Sequence, residues 1–196
     1  VIIDARETEF ASPAIYQEWA DLYGGEDSDY YRVRVRGLSP RASDLQFIDS
    51  DRIRQAQRND PVVTDDDLLI AGVDFSGGGQ AWNVVRFRRG LDARSLPPIR
   101  VAGEHTRNDR SAFLSTLANL LADRTPEKKI AAMFCDSAYG APYVALLRQM
   151  GYTNVFEVNF GSTEVPDPHY ANMRSYMWGQ GREWLPAGAI PVDDHR

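Results

Sequence analysis

Cysteine is almost absent from this sequence of 196 residues. The single cysteine, Cys135, excludes an intrachain disulfide framework and any zinc site built on cysteines. A reducing, intracellular setting is therefore expected. Long apolar runs are absent too, since no stretch approaches the roughly 20 residues that a membrane helix needs. Acidic residues within the first twenty positions exclude a signal peptide, so the sequence predicts no membrane association.

Positive charge is scarce, and lysine is nearly missing. The chain has 22 cationic and 28 acidic residues, a net charge of −6, which argues against a protein coated in basic charge to hold nucleic acid. Twenty of the 22 cations are arginine, the better bidentate phosphate ligand. A GC-rich coding genome is the alternative explanation. The composition, 43% apolar and 26% charged, is that of an ordinary globular domain with a real core.

The first third of the chain, residues 1–67, is predicted to be an arm or linker with a short helix and a strand. Ser12 and Pro13 are typical of a helix start, and the helix would run to Leu22. The alternation over residues 31–36 predicts a strand. Its three arginines would form a row about 6.6 Å apart that could follow a DNA phosphate backbone, or else only a solvated sheet edge. They are Arg32, Arg34 and Arg36.

Residues 68–196 are predicted to form the core of the protein. Their patterning gives the order β-β-β-α-β-α-β-α, with an antiparallel hairpin unit first and then parallel strands joined by crossover helices. The strands are expected at 68–73, 82–87, 99–104, 130–135 and 154–160. The helices are expected from residue 109 or 111, at 141–150 and at 170–178. This order predicts an α/β protein with a mixed five-stranded sheet flanked by helices.

Two apolar strands each end in an aspartate, Asp74 and Asp136. A carboxylate at the end of a buried strand is costly to ionise without compensation, and a divalent metal ion would provide it. If the two strands are neighbours, about 4.8 Å apart, the carboxylates can share or bridge metal ions spaced roughly 3.5–4 Å. The alternative is that each aspartate caps a turn, as aspartate often does before Ser-Gly.

Other candidate residues carry weaker signals. The glycines at 77–79 have no following Lys-Ser/Thr, so a hairpin turn is preferred to a phosphate-binding loop. Arg86 and Arg88 could extend the arginine row to more DNA phosphates. The three histidines show no metal-ligand spacing, and Cys135 is expected to be buried and inert.

Several segments in order resemble the nuclease domain of the large terminase subunits of tailed bacteriophages. The segment from Ala71 to Gly79, followed by Arg88-Arg89-Gly90, resembles the first catalytic strand of that family. The segment from Phe134 to Gly140, followed by Gly151-Tyr152, resembles the second. Further similarity spreads from about residue 15 to residue 192. No single motif is highly specific, but their order and spacing together are.

This resemblance implies a ribonuclease H-like fold and a two-metal-ion endodeoxyribonuclease that cuts concatemeric viral double-stranded DNA during genome packaging. Asp74 and Asp136 match the first two metal-binding carboxylates of the family. Mg²⁺ or Mn²⁺ is the implied cofactor, with two ions in the active complex and weak binding without DNA. The implied partners are double-stranded DNA, an ATPase domain of the same protein, the portal and the small terminase subunit. The implied location is the cytoplasm of the infected host cell.

The sequence departs from the family pattern at two places. An acidic residue often follows six to eight positions after the first aspartate, where this chain has Gln80, Ala81 and Trp82. The third carboxylate normally lies well beyond residues 188–190. Asp193 and Asp194 are therefore not expected to be that residue, and the nuclease core is expected to be incomplete at its C-terminal end. No P-loop is found in the sequence.

Two other function classes remain open. A ribonuclease H-like module without catalytic activity could dock DNA or protein, with vestigial acids. One lobe of an actin-like ATPase would share the strand order and an Asp-x-x-Gly phosphate turn. DNA binding without cleavage would favour the first, and stabilisation by ATP the second.

Overall fold

A computed structural model describes residues 4–8, 12–38, 46–107 and 109–192. The chain divides into two compact units, Val1–Gln55 and Ala56–Arg196. The sequence places the start of the core at residue 68, and that domain boundary stays a prediction. In the described ranges, no helix combines the length and the apolar character needed to cross a bilayer.

The first unit is built from short helices around a small apolar cluster. A 3₁₀ turn at Ala5–Glu7 precedes helix α1 (Pro13–Tyr23) and helix α2 (Asp29–Arg34). The helix expected from Ser12 is confirmed, with Pro13 in its first turn and Gly24 in the left-handed conformation at its end. A third helix, α3 (Ser50–Arg58), contains the division between the units.

The strand predicted at residues 31–36 is wrong, because this segment is helix α2 and its C-terminal turn. Ser28 caps the helix by accepting from the Tyr31 amide, and Tyr31 and Val35 are buried one helical turn apart. The predicted row of three arginines therefore does not exist as a strand edge. Arg36, beyond the helix, pairs with Asp27 at 3.6 Å.

The described part of the second unit contains one five-stranded sheet. Its strands are β1 (Leu69–Asp74), β2 (Trp82–Arg89), β3 (Ile99–Ala102), β4 (Ile130–Asp136) and β5 (Val155–Val158). Their order is β3-β2-β1-β4-β5. The pairs of β1 with β2 and of β2 with β3 are antiparallel, whereas β4 is parallel to β1 and to β5. This is the mixed five-stranded sheet predicted from the sequence, with an antiparallel hairpin unit followed by parallel strands.

Among the described residues, the sheet is flanked by four helices: α4 (Gly103–Arg107), α5 (Ser111–Ala122), α6 (Ser137–Gln149) and α7 (Met173–Trp184). The third strand ends two residues earlier than predicted because Gly103 begins α4, where the Thr106 hydroxyl donates to the Gly103 carbonyl at 2.8 Å. The last helix begins later than predicted, at a reciprocal cap formed by Asn172 and Ser175.

The core lies on one face of the sheet. Alternate residues of β1 and β4 are buried there, among them Val73 and Cys135, against α5 and α6. Aromatic rings close the top of this layer, where Phe75 stacks on Tyr143 at 4.7 Å between ring centroids and both meet Phe113 edge-on. Packing on one face leaves the alternate side chains of the strands on the opposite face.

Candidate functional site

Asp74 and Asp136 end the two central parallel strands of the sheet. Val73 of β1 lies opposite Cys135 of β4, so the next residues, Asp74 and Asp136, stand side by side at the same level. Val73 and Cys135 are buried in the core, and the two aspartates alternate to the other face. Neighbouring strands are about 4.8 Å apart. The structure therefore brings together the two carboxylates singled out in the sequence.

The face that carries both carboxylates is called the open face here. Residues of all five strands point to it by register: Arg100; Trp82, Val84, Arg86 and Arg88; Ile70, Gly72 and Asp74; Ala132, Phe134 and Asp136; Phe156 and Val158. Asp74 and Asp136 line a groove of about 420 Å³ together with Arg86 and Phe134. It borders a wider groove of about 970 Å³, of which α7 forms one wall.

Neither carboxylate has a structural partner among the described residues. The turn after Asp74 is held instead by the buried Asn83, whose Oδ1 accepts from the Ser76 amide at 3.1 Å. Asp136 occupies the N-cap position of α6, yet its side chain makes no capping hydrogen bond. The alternative from the sequence is that each aspartate caps a turn, and the geometry shows no such capping hydrogen bond for either one.

The two carboxylates suit a hard divalent cation. Mg²⁺ and Mn²⁺ prefer carboxylate and water oxygens, and two aspartates on adjacent strand ends offer up to four oxygens toward one point. Within the part of the chain that the structure describes, no group of three Asp, Glu, His or Cys side chains gathers around one point. Water or substrate oxygens would complete the coordination of an ion held here. Asp193 and Asp194 lie outside the described residues.

The predicted DNA-binding arginines fall into two sets. Arg86 and Arg88 lie on the open face, where Arg86 is exposed and has no hydrogen-bond or ion-pair partner in the described ranges. Arg88 donates to the Gly90 carbonyl at 2.7 Å and lies over the ring of Trp184. Arg32, Arg34 and Arg36 belong to the first unit, and their contact with DNA stays a prediction.

The remaining weak candidates have structural positions. The glycines at 77–79 lie in the β1–β2 hairpin, where Gly77 and Gly78 have positive φ values of 67° and 85°. His105 is exposed on α4, and His169 bonds to its neighbour Asp167. Cys135 is fully buried, and burial raises the pKa of its thiol to about 12.

Sequence reasoning missed four residues that shape this site. Arg100 stands level with Asp74 two strands away, and Phe134 and Phe156 form a ring pair on the open face. Asn83 is the polar residue in the alternation Asn83, Val85, Phe87 on the core side of β2. That break in an apolar alternation is the signal that could have identified it, because a buried amide requires partners. No such signal marks Arg100 in the sequence.

Comparison with known proteins gives a likeness of fold. No protein-family model matches the sequence, and no curated protein matches it. Among solved structures, the large terminase of a thermophilic bacteriophage is 15% identical, with 97% of this chain and 44% of that chain covered and a TM-score of 0.48. The large terminase of bacteriophage HK97 is 14% identical, with 95% and 42% covered and a TM-score of 0.47. The chain spans less than half the length of these two proteins.

Proposed function

We propose that this chain is the nuclease domain of a terminase-like protein, a metal-dependent endonuclease that cuts double-stranded viral DNA during genome packaging. One observation carries the chemical part of this proposal. Asp74 and Asp136 stand level on neighbouring parallel strands, share one groove and have no competing partner in the described chain. The motifs around both aspartates support the packaging role.

The residues of the groove have separate tasks in this hydrolysis. Asp74 and Asp136 would hold Mg²⁺ or Mn²⁺, with two ions in the active complex, and the metal would supply Lewis-acid activation of water and of the phosphodiester. Arg86 lines the same groove and offers a guanidinium to the negative phosphate beside the cut. The buried Asn83 holds the turn behind Asp74, so that carboxylate keeps its place when the ion and the DNA arrive.

The wider setting follows from the same resemblance. The domain would act beside an ATPase domain of the same protein, with the portal and the small terminase subunit as further partners. Its location would be the cytoplasm of the infected host cell. Its net charge of −6 is compatible with delivery to DNA by those partners rather than by its own long-range attraction.

A plasmid-nicking assay with Mn²⁺ or Mg²⁺ tests the chemistry. Asp74→Asn and Asp136→Asn keep the shape of each side chain and remove its charge. We expect each to lower the cleavage rate by more than about 100-fold, the upper end of what losing a mere supporting residue of a metal site costs. Asp66→Asn, an exposed acid in a loop, is the matched control and should cut normally. Undiminished cleavage by Asp136→Asn would contradict the assignment.

A second candidate function is a DNA- or protein-docking module without catalysis. The observation that favours it is that the described residues provide two acids rather than three at the site. The plasmid-nicking assay separates the two functions. If the chain is such a module, the unaltered protein would bind DNA and would not cut it in Mn²⁺.

A further inference from the structure

The open face carries aromatic rings that a folded core would normally bury. Phe134 and Phe156 stack on each other with ring centroids 5.5 Å apart and an interplanar angle of 27°. They are nevertheless 39% and 43% exposed. Phe134 precedes Asp136 by two residues on the same face, so the ring pair begins one side-chain step, about 6.6 Å, from the carboxylates.

A third ring lies on the other side of the carboxylates. Trp82 follows the same alternation as Val84, which is level with Asp74, and is 54% exposed. The carboxylates therefore stand between Trp82 at one end and the Phe134 and Phe156 pair at the other. Gly72 has no side chain to fill the floor beside Phe134, and no atom lies within 4 Å of where its Cβ would be. Flat ligands can thus reach the rings.

The charge on this face favours an anionic ligand. The strands carry Arg86, Arg88 and Arg100 there, and the acids beside them are Asp74 and Asp136 by register and Glu157 of β5, which lines the wider groove. Arg86 and Arg100 are exposed and make no hydrogen bond or ion pair within the described chain. In a protein of net charge −6, these two guanidinium groups leave positive charge available beside the two carboxylates. Phosphate groups fit these arginines.

Rings and arginines together distinguish one form of nucleic acid. Aromatic side chains stack on the flat faces of bases, which are available in a single strand. In a duplex the bases are paired and stacked on each other, and only their edges face the grooves. Rings that lie on the floor beside the carboxylates therefore match unpaired bases next to the scissile phosphate.

We propose that the open face binds a single, unpaired DNA strand, with bases stacked on Phe134, Phe156 and Trp82 and phosphates held by Arg86 and Arg100. This proposal rests on the proposed nuclease function and names its local substrate: the strand to be cut is unpaired over the bases beside the cleavage point. The α7 side of the wider groove, including Met177, would cover that strand.

Binding measured without cleavage tests the proposal independently of catalysis. Fluorescence anisotropy in EDTA would compare a labelled oligo(dT) of about 20 nucleotides with a duplex of equal length. Phe134→Leu and Phe156→Leu keep apolar volume and remove the aromatic face. We expect each to weaken oligo(dT) binding by about tenfold, a typical loss for one stacked base, and to change duplex binding by less than about twofold.

Controls keep the result interpretable. Tyr23→Leu removes a ring from another exposed stacked pair, Tyr23 with Tyr30, and should leave oligo(dT) affinity unchanged. Circular dichroism checks that each variant is folded. If a phenylalanine variant is not folded, Trp82→Leu replaces it as the test. Unchanged oligo(dT) affinity in folded variants, or equal losses for oligo(dT) and duplex, would overturn the proposal. If the unaltered chain fails to cut in Mn²⁺ while the oligo(dT) effect persists, only the nuclease assignment fails.

Discussion

Burial of a single side chain decides the chemistry of Cys135, the neighbour of Asp136. Its thiol is fully buried, and burial raises its pKa to about 12. At pH 8 only about one thiol in ten thousand is then ionised, and the thiolate is the reactive form. We expect negligible reaction with a thiol reagent in native buffer and rapid, stoichiometric reaction in concentrated urea. Fast labelling of the native protein would show that β4 opens at the site.

Gly103 provides a prediction about close packing beside the loop that follows Asp74. A Cβ at Gly103 would overlap the Ser76 hydroxyl and the carbonyl oxygens of Gly79 and Ala81. Gly103→Ala should therefore lower the free energy of unfolding by about 1–3 kcal/mol, as overpacking does. Gly72→Ala is the control, because its Cβ meets no atom within 4 Å. Urea denaturation measures both, and equal stabilities for the two variants would contradict the packing argument.

At the scale of elements, the sequence predicted what long patterns specify. The apolar runs of β1 and β4 and the aspartates that end them were predictable because burial on the core face leaves little freedom in such runs. Residues 31–36 were not, because a six-residue segment fits two periods. Tyr31 and Val35 can share one face in a strand or in one helical turn. Val33 distinguishes the two structures, because a strand would bury it with Tyr31 and Val35, whereas it is 45% exposed. The N-cap formed by Ser28 stabilises the helix at this segment.

The helix that walls the wider groove depends on its cap. The Asn172 side-chain oxygen accepts from the Ser175 backbone N–H at 3.0 Å, and the Ser175 hydroxyl oxygen accepts from the Asn172 backbone N–H. Asn172→Ala should cost about 1 kcal/mol of unfolding free energy, the usual value of an N-cap. Asn172→Asp keeps an acceptor at the cap and should lose much less. Urea denaturation compares the two, and an equal loss in both would show that the cap does not stabilise α7.

At the scale of the whole molecule, the sequence predicted the sheet and the pair of carboxylates but not the distribution of charge. A net charge of −6 argues against a protein coated in basic charge. The composition does not show which arginines lie on the same face. Arg86 and Arg100 are fourteen positions apart in the chain, and they share a face because β2 and β3 are paired. Only the strand register reveals that shared face, and the four residues of β3 are too short a pattern to predict it.

That uneven charge makes a salt experiment decisive. Each phosphate neutralised by the protein contributes about −0.7 to the slope of log affinity against log salt for a single strand such as oligo(dT). Arg86→Ala with Arg100→Ala should therefore flatten the slope for oligo(dT) by about 1.4 if each holds one phosphate. Arg124→Ala with Lys129→Ala is the matched control, because it removes two charges beside the start of β4, at the opposite end of the sheet. Both double variants change the net charge equally, so flattening by the first alone assigns DNA to the open face. Equal flattening by both would mean that DNA responds to the field of the whole protein and that this face is not its binding site.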